Sequence, residues 1–215
     1  MIQLVKHGFL GSADISVLQD EFERTHTTRL RQLIHPNLMQ LVSHSLENSL
    51  WKNQEHKDIG REVVPEDQAM VGALNFVANA PGFVDVIRQI TGCARINLFL
   101  GRIYRMLPDS DHYETWHNDT HEGDRLVGMS VNLGPDPYCG GVFRLRDKNT
   151  TEVLAELPNT GQGDAILFRI SRNLEHEVTT VEGAIPKTAF AGWFRAAEYD
   201  LLSLIKGKVP KATSE

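Results

Sequence analysis

The hydropathy pattern predicts an α+β fold that is mainly β: a strand-built sandwich or barrel with helices packed on one outer face. Three observations predict it. Up to Gly92, apolar residues recur at helical spacing. After Gly92 the apolar period falls to two. Turn-forming Pro, Gly, Asn and Asp then punctuate the chain at short intervals. The 215 residues suffice for one sizeable core. No repeat, linker or low-complexity tract divides them. The expected organisation is one domain over residues 1–215, with a mainly helical part at 1–92, a β core at 93–200 and a C-terminal tail at 201–215.

In order, Ser12 or Asp14 is placed to cap a helix whose apolar side is Ile15, Leu18 and Phe22. A second helix starts at Pro36-Asn37 and carries Leu38, Leu41, Val42 and Leu46. Trp51 to Val64 is polar and reads as strand or loop. Pro65-Glu66-Asp67 predicts the next helix start, with proline in the first turn and acids at the positive end of the dipole. Met70, Ala73, Leu74 and Val77 follow at helical spacing. Pro81-Gly82 breaks the chain, and a fourth helix with Phe83, Val86, Ile87 and Ile90 stops at Gly92. Strands are then predicted around Ile96–Leu100, Val127–Leu133, Ile166–Ile170, Val178–Val181 and Ala189–Phe194.

Composition narrows the function classes. A formal charge of −6 argues against a nucleic-acid partner, whose phosphates call for a basic face. No apolar run reaches the roughly 18 residues of a membrane span, and the first residues lack a charged stretch followed by an apolar one. Cys93 and Cys139 make neither a disulfide framework nor a Cys-x-x-Cys metal site. The expectation is a cytoplasmic, reducing compartment and no membrane.

The chemistry-bearing stretch is Trp116-His117-Asn118-Asp119, answered downstream by Glu175-His176-Glu177. In an extended strand, alternate residues share a face, so His117 and Asp119 can reach one ion together. With His176 they make a 2-His-1-carboxylate set, the ligand set of non-haem Fe(II) oxygenases.

The ordered pieces from Arg102 to Phe194 extend this. Tyr104 with Pro108-Asp109 precedes His117-Asn118-Asp119. Gly140-Gly141-Val142-Phe143, Gly163-Asp164-Ala165 and His176-Glu177-Val178 follow, then Lys187 and Gly192-Trp193-Phe194. In this order they resemble the Fe(II)/2-oxoglutarate-dependent dioxygenases, in particular the prolyl-4-hydroxylase-like branch. The resemblance implies a double-stranded β-helix (jelly-roll, cupin-like) core with the metal in its open end. It implies Fe(II) on His117, Asp119 and His176, with 2-oxoglutarate and O2 as co-substrates and ascorbate as reductant. It also implies Lys187 as the cation for the distal carboxylate of 2-oxoglutarate, with Tyr104 adding a hydroxyl.

Two departures concern the co-substrate. Lys187 stands 11 residues after His176, one more than the pattern expects, and Ala189 stands where many relatives carry a hydroxyl. A third departure is Val142, which replaces the usual acid after the Gly-Gly pair.

Among the arginines of the predicted strands, Arg102 and Arg144 are the candidates to clamp a substrate carboxylate. Trp116 and Trp193 read as core. The expected reaction is hydroxylation of an unactivated C–H of a small molecule, amino acid or short peptide, with release of succinate and CO2. The alternatives are a protein prolyl hydroxylase, a cupin-like metal hydrolase or isomerase, and a non-catalytic ligand-binding jelly-roll.

Overall fold

The computed structural model describes residues 1–11, 14–57, 59–159 and 161–197; the predicted tail, and Ser12 as a cap, lie outside them. The elements are β1 (Ile2–Val5), β2 (Gly8–Gly11), α1 (Ser16–Thr25), β3 (Thr27–Leu30), α2 (Pro36–Glu47), β4 (Trp51–His56), β5 (Gly60–Pro65), α3 (Ala69–Ala78) and α4 (Pro81–Thr91). The β half continues with β6 (Leu98–Met106), β7 (Tyr113–His117), β8 (Arg125–Asn132), β9 (Cys139–Gly140), β10 (Phe143–Asp147), β11 (Val153–Leu157), β12 (Ala165–Arg169), β13 (Leu174–Val178), β14 (Val181–Glu182) and β15 (Lys187–Arg195).

The main sheet runs β11-β10-β13-β7-β5-β6-β15-β8-β12-β3, with β4 beside β5. Its ladders are antiparallel. β5 is the seam that brings the two halves round: Val63 pairs with Arg105 of β6, while Gly60 and Arg61 pair with Glu114 and Tyr113 of β7. The result is a nearly closed double-stranded β-helix, as the resemblance implied.

Strand alternation divides the side chains. Phe99 and Ile103 of β6, Val127, Met129 and Val131 of β8, and Phe190 and Phe194 of β15 pack with the helices in one core. Phe83 of α4 and Phe99 of β6 both pack tilted against Phe194, with ring centroids 6.1 and 4.7 Å away. Each fully buried phenylalanine contributes about 1.5–3 kcal/mol from apolar burial. The opposite face of the same strands, with Tyr104, Met106 and Ala189, lines the inside of the jelly-roll.

Two asparagines join α3 to the sheet. Asn75 accepts from the Gly101 N–H and donates to its carbonyl, at 2.8 and 2.9 Å. Asn79 does the same for Phe99, at 2.8 Å for both bonds. Residues four apart on a helix rise about 6.0 Å, and residues two apart on a strand about 6.6 Å, so the two amides match two successive backbone sites. The β6 edge is satisfied by side chains where no strand pairs with it.

The sequence reading of the first ninety residues as mainly helical needs correction. Five strands lie among them. β1 and β2 form a hairpin that buries Ile2 and Leu4, while the polar stretch from Trp51, read as strand or loop, is the β4–β5 hairpin, which partly faces solvent. The third helix starts at Ala69, not Pro65. Pro65 ends β5, and Asp67 Oδ1 accepts from the Ala69 N–H at 2.9 Å. Gly92 caps α4 in the left-handed region, φ 65°, as its position predicted.

Candidate active site

His117 and His176 come together because β7 and β13 pair directly at these two residues. Their ring centroids are 4.2 Å apart. His117 Nδ1 donates to the Thr115 carbonyl at 2.7 Å, which leaves the Nε2 lone pair for the site. His176 is buried against Phe168 and Phe143, with centroids 4.7 and 5.9 Å away. Burial, reinforced by His117, pushes its pKa down to about 3, so its imidazole is neutral and available as a ligand at any ordinary pH.

Asp119 follows β7 and is 4% exposed. Its Oδ1 lies 4.0 Å from His117 Nε2, and its Oδ2 lies 3.5 Å from His176 Nε2. Oδ1 accepts from Arg125 at 2.8 Å and Oδ2 from the Trp193 indole N–H at 2.6 Å. The Arg125 guanidinium sits 3.6 Å from the Trp193 ring centroid. Burial alone would raise the Asp119 pKa, but His176, His117, Trp193 and Arg125 together outweigh it and hold the carboxylate below the usual range.

The three expected ligands therefore come together as two imidazoles and one carboxylate. Cis ligands on an ion with bonds of about 2.1 Å sit about 3 Å apart. The residue types suit a divalent ion, but Asp119 meets each imidazole with a different oxygen, so its carboxylate must turn as well as approach to place one donor beside both.

A second carboxylate also reaches the cluster. Glu114, His117 and His176 offer ligand atoms that all lie within 4.8 Å of one another. Sequence alternation would place Glu114, three residues before His117, on the opposite face. The ladder is irregular here: His176 pairs with His117 and Val178 with Glu114, so β7 carries one extra residue. This bulge turns Glu114 inward.

Behind the ligands lies a narrow slot of about 40 Å³. Lys187, Tyr104 and Arg102 all line it. They belong to the inward faces of β15 and β6, paired through Lys187–Met106 and Ala189–Tyr104. Lys187 is 4% exposed and donates through Nζ to the Gly141 carbonyl at 2.9 Å. A side chain at Gly141, where φ is +58°, would have its Cβ 3.1 Å from Lys187 Cδ and 2.8 Å from the Tyr138 ring. The Gly-Gly pair thus makes room for the lysine. Burial lowers the Lys187 pKa to about 8, against the opposing influence of Glu114. Burial also raises the Tyr104 pKa well above its usual value, so its hydroxyl keeps its proton.

Outside the slot opens a wider cleft of about 360 Å³, shared by Arg102, Glu62, Glu114, His117, Arg125 and His121 among others. Arg102 is clamped by Glu62 through two bonds, at 2.7 and 3.2 Å. Burial works against both charges, yet each partner holds the other ionised. Arg102 thus lines both cavities, already paired.

Arg144 does not line either. It binds Glu177 at 2.7 Å and Glu156 at 3.3 Å and lies by Trp116. Phe143 and Leu145 take the inward positions of β10, so Arg144 faces outward. The expectation of a substrate clamp at this residue is corrected accordingly.

The reading missed Trp193 and Arg125 as supports of Asp119, and missed Glu114. Trp193 was traceable: it lies an even number of residues from Lys187 and so shares its face. Glu114 was not, because the bulge reverses the alternation.

Residues 101–195 match the family described as the 2OG-Fe(II) oxygenase superfamily. The match covers the stretch from β6 to β15, a little under half of the chain. The chemistry is that of an oxidoreductase dioxygenase using Fe(II), 2-oxoglutarate and O2. Among solved structures, the chain resembles an oxidoreductase of the 2OG-Fe(II) oxygenase family from Burkholderia pseudomallei, with TM-score 0.64, 17% identity, and 87% of this chain and 93% of the other covered. It also resembles a Pseudomonas putida prolyl-4-hydroxylase, with TM-score 0.63, 16% identity, and 86% and 100% covered. A third is SnoN, a non-haem α-ketoglutarate-dependent epimerase from nogalamycin biosynthesis, with TM-score 0.61, 10% identity, and 83% and 80% covered. At these identities the likeness is one of fold. No curated protein sequence matches the chain.

Proposed function

We propose that this 2OG-Fe(II) oxygenase hydroxylates an unactivated C–H of a small molecule, amino acid or short peptide, with release of succinate and CO2. The observation that carries this reading is the convergence of His117, Asp119 and His176 beside a slot that ends on Lys187. In it, His117, Asp119 and His176 hold Fe(II). Bound there with 2-oxoglutarate and O2, the metal supplies the oxidising chemistry.

The residues of the chain have separate tasks. Trp193 and Arg125 fix Asp119 so that both oxygens face the imidazoles. Lys187 supplies a buried positive charge for the distal carboxylate of 2-oxoglutarate, and Tyr104 donates its hydroxyl proton to the same group. Phe143 and Phe168 keep water from the His176 side. Arg102, held by Glu62, stands at the junction of slot and cleft, where a polar group of the substrate would meet it. A peptidyl-proline substrate is the second reading, favoured by the likeness to a prolyl-4-hydroxylase over its full length.

One titration tests the core of the proposal. Apo-protein mixed anaerobically with Fe(II) and 2-oxoglutarate is expected to develop a visible metal-to-ligand charge-transfer band, and His176→Ala to lose it. Folded protein without a band would overturn the reading. Succinate release across free amino acids, proline-containing peptides and other small molecules then separates the substrate classes.

A further inference from the structure

Glu114 stands apart from the other charged groups around the cleft. Asp119 is held by Trp193 and Arg125, Glu62 by Arg102, and Arg61 by Glu55 and Asp111. Among the described residues, the Glu114 carboxylate has no hydrogen-bond partner. Its nearest cationic or imidazole neighbour is His117 Nε2, at 3.9 Å. That distance matches the spacing between His117 and Asp119, 4.0 Å. Glu114 also borders both the inner slot and the outer cleft, and its charge is felt by Lys187, Tyr104 and Arg102. A bulge in β7 aims it there, and bulges commonly re-aim a side chain beside an active site.

We propose that Glu114 is a fourth, displaceable ligand of the metal, holding a position that 2-oxoglutarate must take over. The inference rests on the metal assignment made above. A metal of six positions that keeps His117, Asp119 and His176 has three left. Bidentate 2-oxoglutarate needs two of them and O2 the third. With Glu114 bound, two remain, so the co-substrate and O2 cannot both be accommodated until the glutamate leaves. Glu114 lines the same slot as Lys187, so the position it holds is one of the two that the co-substrate takes, and arrival of the co-substrate is what frees it. Before that, Glu114 completes a two-histidine, two-carboxylate cage that binds a divalent ion more tightly and leaves it less open to O2.

The test uses Co(II) as an air-tolerant probe with the full chain, and reads binding, not turnover. Glu114→Gln keeps the size of the side chain and removes its charge. It is expected to weaken Co(II) binding by about tenfold, as loss of a group acting on a metal does. It is also expected to tighten 2-oxoglutarate binding to the Co(II)-loaded protein by about tenfold, because the competing state is gone. Adding 2-oxoglutarate to the wild-type Co(II) protein is expected to change its visible absorption more than in the variant.

Unchanged Co(II) affinity in a folded Glu114→Gln overturns the proposal, and so does weaker 2-oxoglutarate binding. Glu114→Asp, which withdraws the carboxylate by one methylene, serves if the glutamine variant does not fold. The same two outcomes decide it. His176→Ala separates the two levels of inference. If it keeps wild-type Co(II) affinity, the metal assignment itself fails. If it loses Co(II) while Glu114→Gln does not, only the role of Glu114 fails.

Discussion

Trp193 donates its indole N–H to Asp119 Oδ2 at 2.6 Å, joining the last strand of the jelly-roll to the loop after β7. Arg125 completes the arrangement, bonding the other carboxylate oxygen while lying on the Trp193 ring. Asp119 is therefore oriented before any metal arrives. Trp193→Phe keeps the ring beneath Arg125 and removes only the donor. It is expected to weaken Co(II) or Fe(II) binding by about 10- to 100-fold, the usual range for a group that orients a ligand. Metal titration with far-UV circular dichroism as the folding control checks this. Wild-type affinity would show that Arg125 alone suffices.

With Lys187 as the proposed anchor of 2-oxoglutarate, co-substrate binding is expected to depend on pH. Its pKa falls from 10.5 to about 8 in the fold because it is buried. Between these values the folded protein binds fewer protons than the unfolded chain, so stability rises with pH from about 8 to 10.5. Below that window the buried ammonium costs up to about 3 kcal/mol. Lys187→Met is expected to be more stable than wild type at pH 7, with the difference shrinking towards pH 10, and to lose most affinity for 2-oxoglutarate. In the wild type, that affinity is expected to decline as pH rises past about 8. Urea unfolding and equilibrium binding across this range measure both. A flat binding profile would disconnect Lys187 from the co-substrate.

Gly128 pairs with Phe168 on one side and Trp193 on the other. A Cβ built there would lie 2.0 Å from Phe168 Cζ. Phe168 in turn packs on His176. Gly128→Ala is expected to push the ring into the histidine, costing about 1–3 kcal/mol as overpacking does and weakening the metal site. In a Phe168→Ala background the same change is expected to cost much less, because the two residues share one space. Urea midpoints for the four proteins supply the comparison. Equal costs in both backgrounds would show that the ring is not what Gly128 accommodates.

Much of the β half could be read from the chain, because it follows strand alternation, and Lys187 falls on the inward face of β15. His117 and Asp119 do come together, but not by alternation: β7 ends at His117, and Asp119 stands outside it at φ −94°, ψ 23°. Alternation failed at two further places for physical reasons. At Glu114 an extra residue in β7 reverses the facing direction. At Arg144 the inward positions belong to Phe143 and Leu145, which the apolar pattern alone did not orient. Of the N-terminal strands, β1, β2 and β3 were missed, whereas β4 and β5 fall in the stretch read as strand or loop; β4 is polar and largely exposed, so no apolar period decides between the two. Nor does any local pattern show that Asn75 and Asn79 would bind the backbone of β6.

The seam at β5 bears on where the chain can be cut. The stretch that matches the superfamily, 101–195, includes neither β3, which covers the edge of β12, nor β5, which spans β6 and β7. It also lacks the amides of α3 that satisfy Gly101 and Phe99. A fragment trimmed to the matching residues would present three raw strand edges, open to pairing with other copies of itself. The boundary drawn by sequence similarity cuts through the main sheet, and residues far ahead of His117 cover edges that the matched stretch would leave bare.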